Sequence, residues 1–225
     1  MIYLNKKNEG AFICFIGIDG SGKTTHAHYL SQELAKNGIN VFYIRPRYKL
    51  IQAFPLWLNT SIKKYINIRP LLIKHVTGTK KLDNLWKNSF LLKRLLSFFL
   101  LIYAFTTYLL MIKPYLRKSY LVCDRYFYDW FYDKRQAWSI YIARILPKPD
   151  LCIFLDIPIS LAFSRMNVED KKMPQEYYES LREWYITLAK LQGFKIIDSS
   201  GDFLRVNNII IKCVMEYIIT LRCKS

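Results

Sequence analysis

The chain lacks the features that identify several classes of protein. It has no linker rich in serine, glycine and proline and no internal repeat, so we expect a single domain over residues 1–225. The first ten residues, MIYLNKKNEG, lack the apolar run of a secretory signal peptide. No C-x-x-C pair occurs, which argues against a zinc or disulfide framework. The cysteines are therefore expected to be small buried side chains in the reducing cytoplasm; they are Cys14, Cys123, Cys152, Cys213 and Cys223.

Acidic residues are also scarce, and the deficit is concentrated in one part of the chain. The sequence has 34 lysines and arginines against 17 acidic residues, a formal net charge of +17. Residues 45–118, called here the basic segment, hold fifteen lysines and arginines and one acidic residue, Asp83. Such a segment is predicted to meet an anionic partner, which could be a phosphorylated substrate or an anionic membrane surface. Nucleic acid is disfavoured because no recognition motif accompanies the charge.

Short apolar runs alternate with helical patterns along the chain. The predicted strands are residues 11–17, 39–44, 120–123, 151–155 and 194–197. The predicted helices are residues 23–36, 135–146, 158–167, 174–192 and 204–222. This alternation predicts an α/β fold of three layers, in which a five-stranded parallel sheet is flanked by helices. Ligands of such sheets bind beyond the carboxyl ends of the strands.

One stretch is unusual because it has no charge at all. Residues 95–112 (LLSFFLLIYAFTTYLLMI) are eighteen uncharged residues, close to the length that crosses a membrane. They lie between the second and third predicted strands, and a membrane span would place those strands on opposite sides of the bilayer. We therefore expect a helix buried between the sheet and a partner subunit.

The strongest motif follows the first strand. Residues 17–24 (GIDGSGKT) fit the pattern G-x-x-x-x-G-K-[ST] between a strand and a helix. Its glycines allow backbone N–H groups to face phosphate oxygens at the positive end of a helix. Lys23 is expected to reach the β- and γ-phosphates of ATP, and the Thr24 hydroxyl to bind Mg²⁺. The predicted nucleotide-binding residues are Gly17, Asp19, Gly20, Ser21, Gly22, Lys23, Thr24 and Thr25.

Polar residues also end the second and third strands. Asp124 follows the third strand, where a carboxylate can hold Mg²⁺ through water or orient an acceptor oxygen. The adjacent Arg125 can bridge donor and acceptor phosphates as charge moves between them. Arg45 ends the second strand, where a guanidinium can bind a second phosphate with two hydrogen bonds.

These motifs together resemble the thymidylate kinase family of P-loop kinases. The matching segments are residues 15–25 (FIGIDGSGKTT), 112–114 (IKP), 122–126 (VCDRY), 149–158 (PDLCIFLDIP) and 177–188, the last including Arg182 and Tyr185. The resemblance covers most of the chain. It implies transfer of a phosphoryl group from ATP to dTMP with Mg²⁺, and a homodimer formed through residues 95–117.

The resemblance also implies roles for individual residues. Asp19 would lie near the sugar hydroxyl of the acceptor, and Arg45 would hold the acceptor phosphate. Asp124 and Arg125 would serve the transfer itself. Arg165 would open a lid over about residues 165–176 and approach the ATP.

The acceptor side differs from the family pattern. The Asp-Arg pair with which the family reads the base is expected at Tyr103 and Ala104, yet no arginine occurs in residues 95–112. Arg45 is followed by Pro46 and Arg47, an altered form of the family motif. Two alternatives therefore stay open. One is a kinase of the same fold acting on an envelope sugar or lipid-linked acceptor at a membrane, and the other is a nucleotide-dependent binding module without catalysis.

The donor loop departs from one subclass of the family at a single position. Residue 20 is glycine, where that subclass has an arginine, so the lid is expected to supply the positive charge. The cations that the lid offers beyond Arg165 are Lys171 and Lys172.

Overall fold

The described part of the chain is built around one parallel sheet. The computed structural model describes residues 10–46, 90–116, 119–132, 139–167, 171 and 173–224. The strands are β1 (Phe12–Ile16), β2 (Val41–Ile44), β3 (Tyr120–Asp124), β4 (Leu151–Asp156) and β5 (Lys195–Asp198). They pair in the order β2-β3-β1-β4-β5, and every pair is parallel. The predicted α/β class with five parallel strands is confirmed. Most of the basic segment, including Arg47, lies outside the described residues.

Helices occupy the connections between the strands. They are α1 (Lys23–Lys36), α2 (Phe90–Thr107), α3 (Lys113–Leu116), α4 (Ser139–Ile145), α5 (Ile159–Arg165), α6 (Gln175–Gln192) and α7 (Phe203–Lys224). A π-helical turn (Tyr108–Ile112) joins α2 to α3, and a 3₁₀ turn (Phe127–Phe131) follows β3. The predicted helices after the third strand are confirmed with small shifts at their ends. The start predicted at residue 135 lies outside the described residues, and the helix is described from Ser139.

The two faces of the sheet are covered by different helices. Successive side chains of a strand point to opposite faces, so β1 contributes to both cores. On one face its side chains pack with α1 and α7. On the other face they pack with α2, α4, α5 and α6. This gives the three predicted layers, and it places α1, which begins at the phosphate-binding motif, beside the end of β3.

Three of the cysteines form a row across the sheet. Cys14 on β1 is paired in register with Cys123 on β3 and with Cys152 on β4, and all three are buried. Burial raises the pKa of the Cys14 and Cys123 thiols. The prediction of buried side chains is confirmed for these three. It is wrong for Cys223, which is exposed, and Cys213 is half-buried. Both lie on α7, which packs other side chains, such as Val214 and Ile218, into the core.

The uncharged stretch forms α2 from residue 95 onward and the π-helical turn, and its described side chains are buried on one face. Buried side chains of this stretch include Leu100, Ala104, Thr107 and Ile112. The exposed ones include Phe98, Phe99, Ile102, Leu109 and Leu110. By length and composition Phe98–Leu116 could cross a membrane, with 22% of it buried. It connects β2 and β3, which are neighbours in one sheet, and it contributes to the core, so it is an integral part of the fold with an apolar outer face.

Gly20 is required by its backbone and by its neighbour. Its φ is +80°, a conformation that costs residues with a side chain about 1–2 kcal/mol. A Cβ atom at this position would also collide with the carbonyl oxygen of Ala162 on α5. Gly38, which follows α1, has a similar φ of +73°, but nothing lies within 4 Å of its would-be Cβ. Substituting Gly38 would therefore incur only the cost of the backbone conformation, whereas substituting Gly20 would also incur the cost of the collision.

We predict that Gly20→Ala lowers the free energy of unfolding more than Gly38→Ala does. Gly38→Ala should cost about 1 kcal/mol, because only its φ is unfavourable. Gly20→Ala should cost about 2 kcal/mol or more, since α5 must also shift. Urea unfolding of the two variants without nucleotide measures the difference. Equal losses would show that the loop is not packed against α5 as described.

Candidate active site at the carboxyl ends of the strands

The phosphate-binding motif forms the turn between β1 and α1. Gly22 has φ +81° and stands immediately before the helix. Lys23 is buried, and its ammonium donates to the Ile18 carbonyl at 2.5 Å, with Asp19 Oδ1 3.8 Å away. The lysine charge therefore lies within the loop itself, at the positive end of α1, which is where phosphate oxygens would be bound.

Asp124 connects this loop to β2 and β3. Its side chain is completely buried at the end of β3. Its Oδ2 accepts a hydrogen bond from the Thr24 hydroxyl at 2.8 Å and from the Tyr43 hydroxyl at 3.0 Å, while Arg45 Nε lies 3.7 Å away. Two motifs separated by 100 residues in sequence thus meet at one oxygen atom. The structure brings together three of the predicted site residues here.

The other oxygen of Asp124 suits a hard cation. Asp124 Oδ1 is buried and has no hydrogen-bond partner among the described residues. The Thr24 hydroxyl, which is bonded to the neighbouring oxygen, still has acceptor lone pairs. The described part of the chain holds no group of three or more His, Cys, Asp or Glu that could bind a metal. A carboxylate and a hydroxyl fit Mg²⁺, which takes few protein ligands and completes its shell with phosphates and water.

Arg125 has the backbone of a tight turn. Its φ is +66°, and it is the only non-glycine residue with a positive φ in the part of the chain that the structure describes. Its N–H donates to the Phe15 carbonyl at 3.1 Å, so the turn is anchored to β1. Its guanidinium forms an ion pair with Asp19, with Nη2 2.6 Å from Oδ1. The structure therefore brings together two residues expected at the acceptor. Non-glycine residues with a positive φ are found mostly at functional sites.

A small cleft opens beside these residues. Its lining residues come from β1, the phosphate-binding loop, the turn after β3 and α6, and they are Ile16, Gly17, Lys23, Arg125, Tyr126 and Tyr185. Tyr185 is buried, and its ring stacks on Phe154 with centroids 5.7 Å apart. The cleft lies next to the lysine ammonium and the Arg125 guanidinium, so it is suited to an anionic ligand.

Two further arginines, Arg165 and Arg182, bind groups at or after the ends of β4 and β5. Arg165 donates to the carbonyl oxygens of Ser199 and Ser200, at 3.0 and 3.3 Å, in the loop after β5. Arg182 on α6 forms a bidentate pair with Asp156 at the end of β4, at 2.6 and 2.7 Å. This pairing raises the pKa of Arg182. Of the lysines in the segment predicted to form a lid, Lys171 is exposed and Lys172 lies outside the described residues.

Two residues that the sequence did not single out belong to this site. Tyr43 donates to Asp124, and its pKa is raised by burial and by the nearby negative charge of that residue. His28 stacks on Tyr43 with ring centroids 3.9 Å apart and an angle of 22°. A signal was present in the spacing, since His28 follows Thr24 by four residues and therefore shares its face of α1.

His26, in the first turn of α1, connects the phosphate-binding motif to α7. Its Nδ1 is 2.8 Å from the Asn207 Oδ1 on α7, and its ring stacks on Phe203 with centroids 5.3 Å apart. Burial lowers the pKa of His26, and the charge of Arg165 lowers it further against the opposing effect of the Asn207 hydrogen bond. The neutral ring is therefore the form that the fold favours.

Comparison with known proteins places these observations in a family. A family model described as thymidylate kinase matches residues 79–210. The probable thymidylate kinase of Staphylothermus marinus is 28% identical over 223 residues, which cover 95% of this chain and 98% of the relative. The corresponding protein of Methanothermobacter thermautotrophicus is 30% identical over 189 residues, or 84% of this chain and 86% of the relative. A third, the probable thymidylate kinase 1 of Saccharolobus solfataricus, is 30% identical and covers 91% and 96%.

A solved structure is similar as well. The crystal structure of thymidylate kinase from Ehrlichia chaffeensis matches with a TM-score of 0.52 and 23% sequence identity. The match covers 91% of this chain and 98% of that one. At this identity the likeness supports the fold, and it agrees with the five-stranded parallel sheet described above.

We predict that His26 makes stability depend on pH. The unfolded histidine, with a pKa near 6.5, takes up a proton before the folded one as the pH falls. Its contribution to the free energy of unfolding is therefore fully present above pH 6.5 and is lost as the pH falls through the lowered folded pKa, by at most about 1.4 kcal/mol per pH unit. In urea unfolding between pH 7.5 and 5.5, His26→Gln should lose less stability than the wild type.

The range from pH 8 to 9 serves as the control, because His26 is neutral there in both the folded and the unfolded state. Wild type and variant should show the same pH dependence in that range. An unchanged slope between pH 7.5 and 5.5 in the variant would contradict the prediction.

Proposed function

The chain belongs to the thymidylate kinase family, and on that premise we propose that it transfers the γ-phosphoryl group of ATP to dTMP, giving ADP and dTDP. An oxygen of the dTMP phosphate attacks the γ-phosphorus, and the bond from that phosphorus to the β–γ bridging oxygen breaks. The observation that carries the proposal is the hydrogen bond from Thr24 to Asp124. It joins the donor loop to the end of β3, where transfer would take place.

The donor half of the reaction is assigned to the loop before α1. Lys23 would neutralise the β- and γ-phosphates, and the backbone N–H groups of residues 17–24 would bind their oxygens. Thr24 and Asp124 would hold Mg²⁺, which supplies positive charge to the transferring phosphate when bound. Arg165, anchored on the loop after β5, would contact the nucleotide from that side.

The acceptor half is assigned to arginines from two strand ends. Arg45 is 48% exposed at the end of β2 and can reach a phosphate in solution. Arg125 would stabilise the charge that develops between donor and acceptor. Its pairing with Asp19 at 2.6 Å holds the guanidinium beside the loop before substrate binds. Asp19 would also accept a hydrogen bond from the sugar hydroxyl of the acceptor.

Membership in this family favours a nucleotide acceptor over an envelope sugar or a lipid-linked intermediate. Catalysis is favoured over nucleotide binding alone, because Thr24, assigned to the metal, and Arg45, assigned to the acceptor phosphate, both lie within hydrogen-bond or ion-pair distance of Asp124. We further propose that the enzyme works in the cytoplasm and that the outer face of α2 binds a second copy of the chain.

A coupled assay for ADP with a panel of nucleoside monophosphates tests the activity. We expect dTMP to give the highest kcat/KM. Lys23→Ala should lower kcat/KM by about a hundred- to a thousand-fold, because the developing charge loses a buried cation. Lys36→Ala is the matched control on the same helix. The Lys36 side chain is 70% exposed and forms an ion pair with Glu33 in the described part of the chain, so the kinetics of this variant should equal those of the wild type.

Two outcomes would overturn the assignment. Turnover by Lys23→Ala at the wild-type rate would remove the donor site from residues 17–24. A lack of turnover with every monophosphate, while ATP still binds, would remove the nucleotide acceptor.

We predict a homodimer through the exposed apolar face of α2 and the turn that follows it. Leu110 is 67% exposed on this face, and Leu204 on α7 is 60% exposed elsewhere. Leu110→Glu should convert the dimer to a monomer in light scattering at micromolar concentration, because the interface would have to bury a charge. Leu204→Glu should leave the mass unchanged. A wild type with the mass of one chain would rule out the dimer.

A further inference from the structure

The two oxygens of Asp124 have different surroundings. Oδ2 accepts hydrogen bonds from Thr24 and Tyr43, at 2.8 and 3.0 Å, and Arg45 Nε lies 3.7 Å from it. Oδ1 is buried and accepts no hydrogen bond from the described residues. Within the described part of the chain this carboxyl group is held through Oδ2, so the contacts of Oδ2 set the rotation of the group about its Cβ–Cγ bond.

The strand register explains how Tyr43 reaches this oxygen. Tyr43 on β2 is paired with Val122 on β3, and Asp124 follows Val122 by two residues. Residues two apart lie on the same face of a strand. Tyr43 is thus on the face of the sheet that carries Asp124, and its long phenol side chain extends toward the carboxyl end of β3.

The first helix sets the position of the phenol ring. His28 stacks on the ring with centroids 3.9 Å apart and an angle of 22° between the planes. His28 lies one helical turn after Thr24, so the same face of α1 carries both residues. One helix therefore places the Thr24 hydroxyl directly on Asp124 and, through His28, holds the side chain that makes the second hydrogen bond.

We propose that Tyr43 is a positioning residue for phosphoryl transfer, whose hydroxyl fixes Oδ2 of Asp124 so that Oδ1 is presented to the metal–nucleotide beside Thr24. This rests on the proposed function. Thr24 and Arg45 also contact Oδ2, but each has another task there, the first toward Mg²⁺ and the second toward the acceptor phosphate. Of the three described contacts of Oδ2, Tyr43 is the one without a second task, and it orients the carboxyl group without adding a positive charge that would compete with the cation.

Tyr43→Phe tests the proposal because it removes the hydroxyl and keeps the ring on His28. We expect Mn²⁺, measured by electron paramagnetic resonance in the presence of ATP, to bind about tenfold or more weakly. The Mg²⁺ concentration for half-maximal turnover should rise by the same factor, and kcat at saturating Mg²⁺ should stay within a few-fold of the wild type. A merely structural role would lower kcat or stability without moving the metal dependence.

Tyr217→Phe is the matched control. Tyr217 lies on α7 and packs partly buried against the core of the α1 and α7 face. Removing its hydroxyl should leave both metal readouts at the wild-type value.

A second pair of variants tests the role of the stack without changing Tyr43. His28→Ala removes the ring that holds the phenol and should weaken Mn²⁺ binding by a smaller factor than Tyr43→Phe. His28→Phe restores an aromatic surface and should return binding toward the wild-type value. If His28→Ala bound Mn²⁺ like the wild type, the proposed path from α1 to Asp124 would be wrong.

The outcomes separate this proposal from the function on which it rests. Wild-type Mn²⁺ affinity in Tyr43→Phe would overturn the role of Tyr43 even if dTMP is phosphorylated normally. Weakened Mn²⁺ binding in Tyr43→Phe would support that role even if no monophosphate were phosphorylated. A wild type that binds no Mn²⁺ with ATP would overturn both.

Discussion

The buried carboxyl group of Asp124 is the constraint on which the site depends. Its side chain has no exposed surface at all, and a buried acidic group is tolerated only when hydrogen bonds or opposite charges compensate for the lost water. Three other segments supply that compensation, namely the start of α1, the middle of β2 and the residue after β2. Each of these segments also contributes a side chain to the candidate site, namely Thr24, Tyr43 and Arg45. The contacts made to Oδ2 of this buried group therefore bring Thr24 of the phosphate-binding motif and Arg45 together.

The first helix, α1, helps to position Asp124 through more of its residues than the phosphate-binding motif alone indicates. It begins at the phosphate-binding loop and lies on the face of the sheet to which Asp124 belongs. Thr24 and His28 act on Asp124 from successive turns, directly and through Tyr43. His26, from the opposite side of the same turn, connects the helix to Asn207 on α7. The loop is thus held at its base by contacts to two different elements, which favours a fixed geometry for the bound phosphates.

The sequence predicted the sheet because the strands are continuous apolar runs between clear helical patterns, and strand ends carried the polar motifs. Thr24, Asp124 and Arg45 could be brought together from sequence alone, since the carboxyl ends of parallel strands meet at one edge. Tyr43 could not, because its role depends on the register of β2 against β3 and on a side chain reaching along the strand. The pairing of Arg182 with Asp156 also depends on where α6 crosses β4, which no local pattern specifies. The exposure of Cys223 also escaped prediction, because the way α7 packs on the sheet decides which of its side chains face solvent.

The close packing of the donor loop also determines where further positive charge can come from. Gly20 lies against the Ala162 carbonyl, so a side chain at this position has no space unless α5 moves. A cation in addition to Lys23 must therefore come from another element. Arg165 ends α5, and its guanidinium is held by two backbone carbonyls after β5, whereas Lys171, in the segment predicted to form a lid, is exposed. Backbone carbonyls are neutral partners that a phosphate can replace at lower cost than it could replace a carboxylate. The arginine at the end of α5 is consequently better prepared than the lysine to contribute charge when the nucleotide is bound.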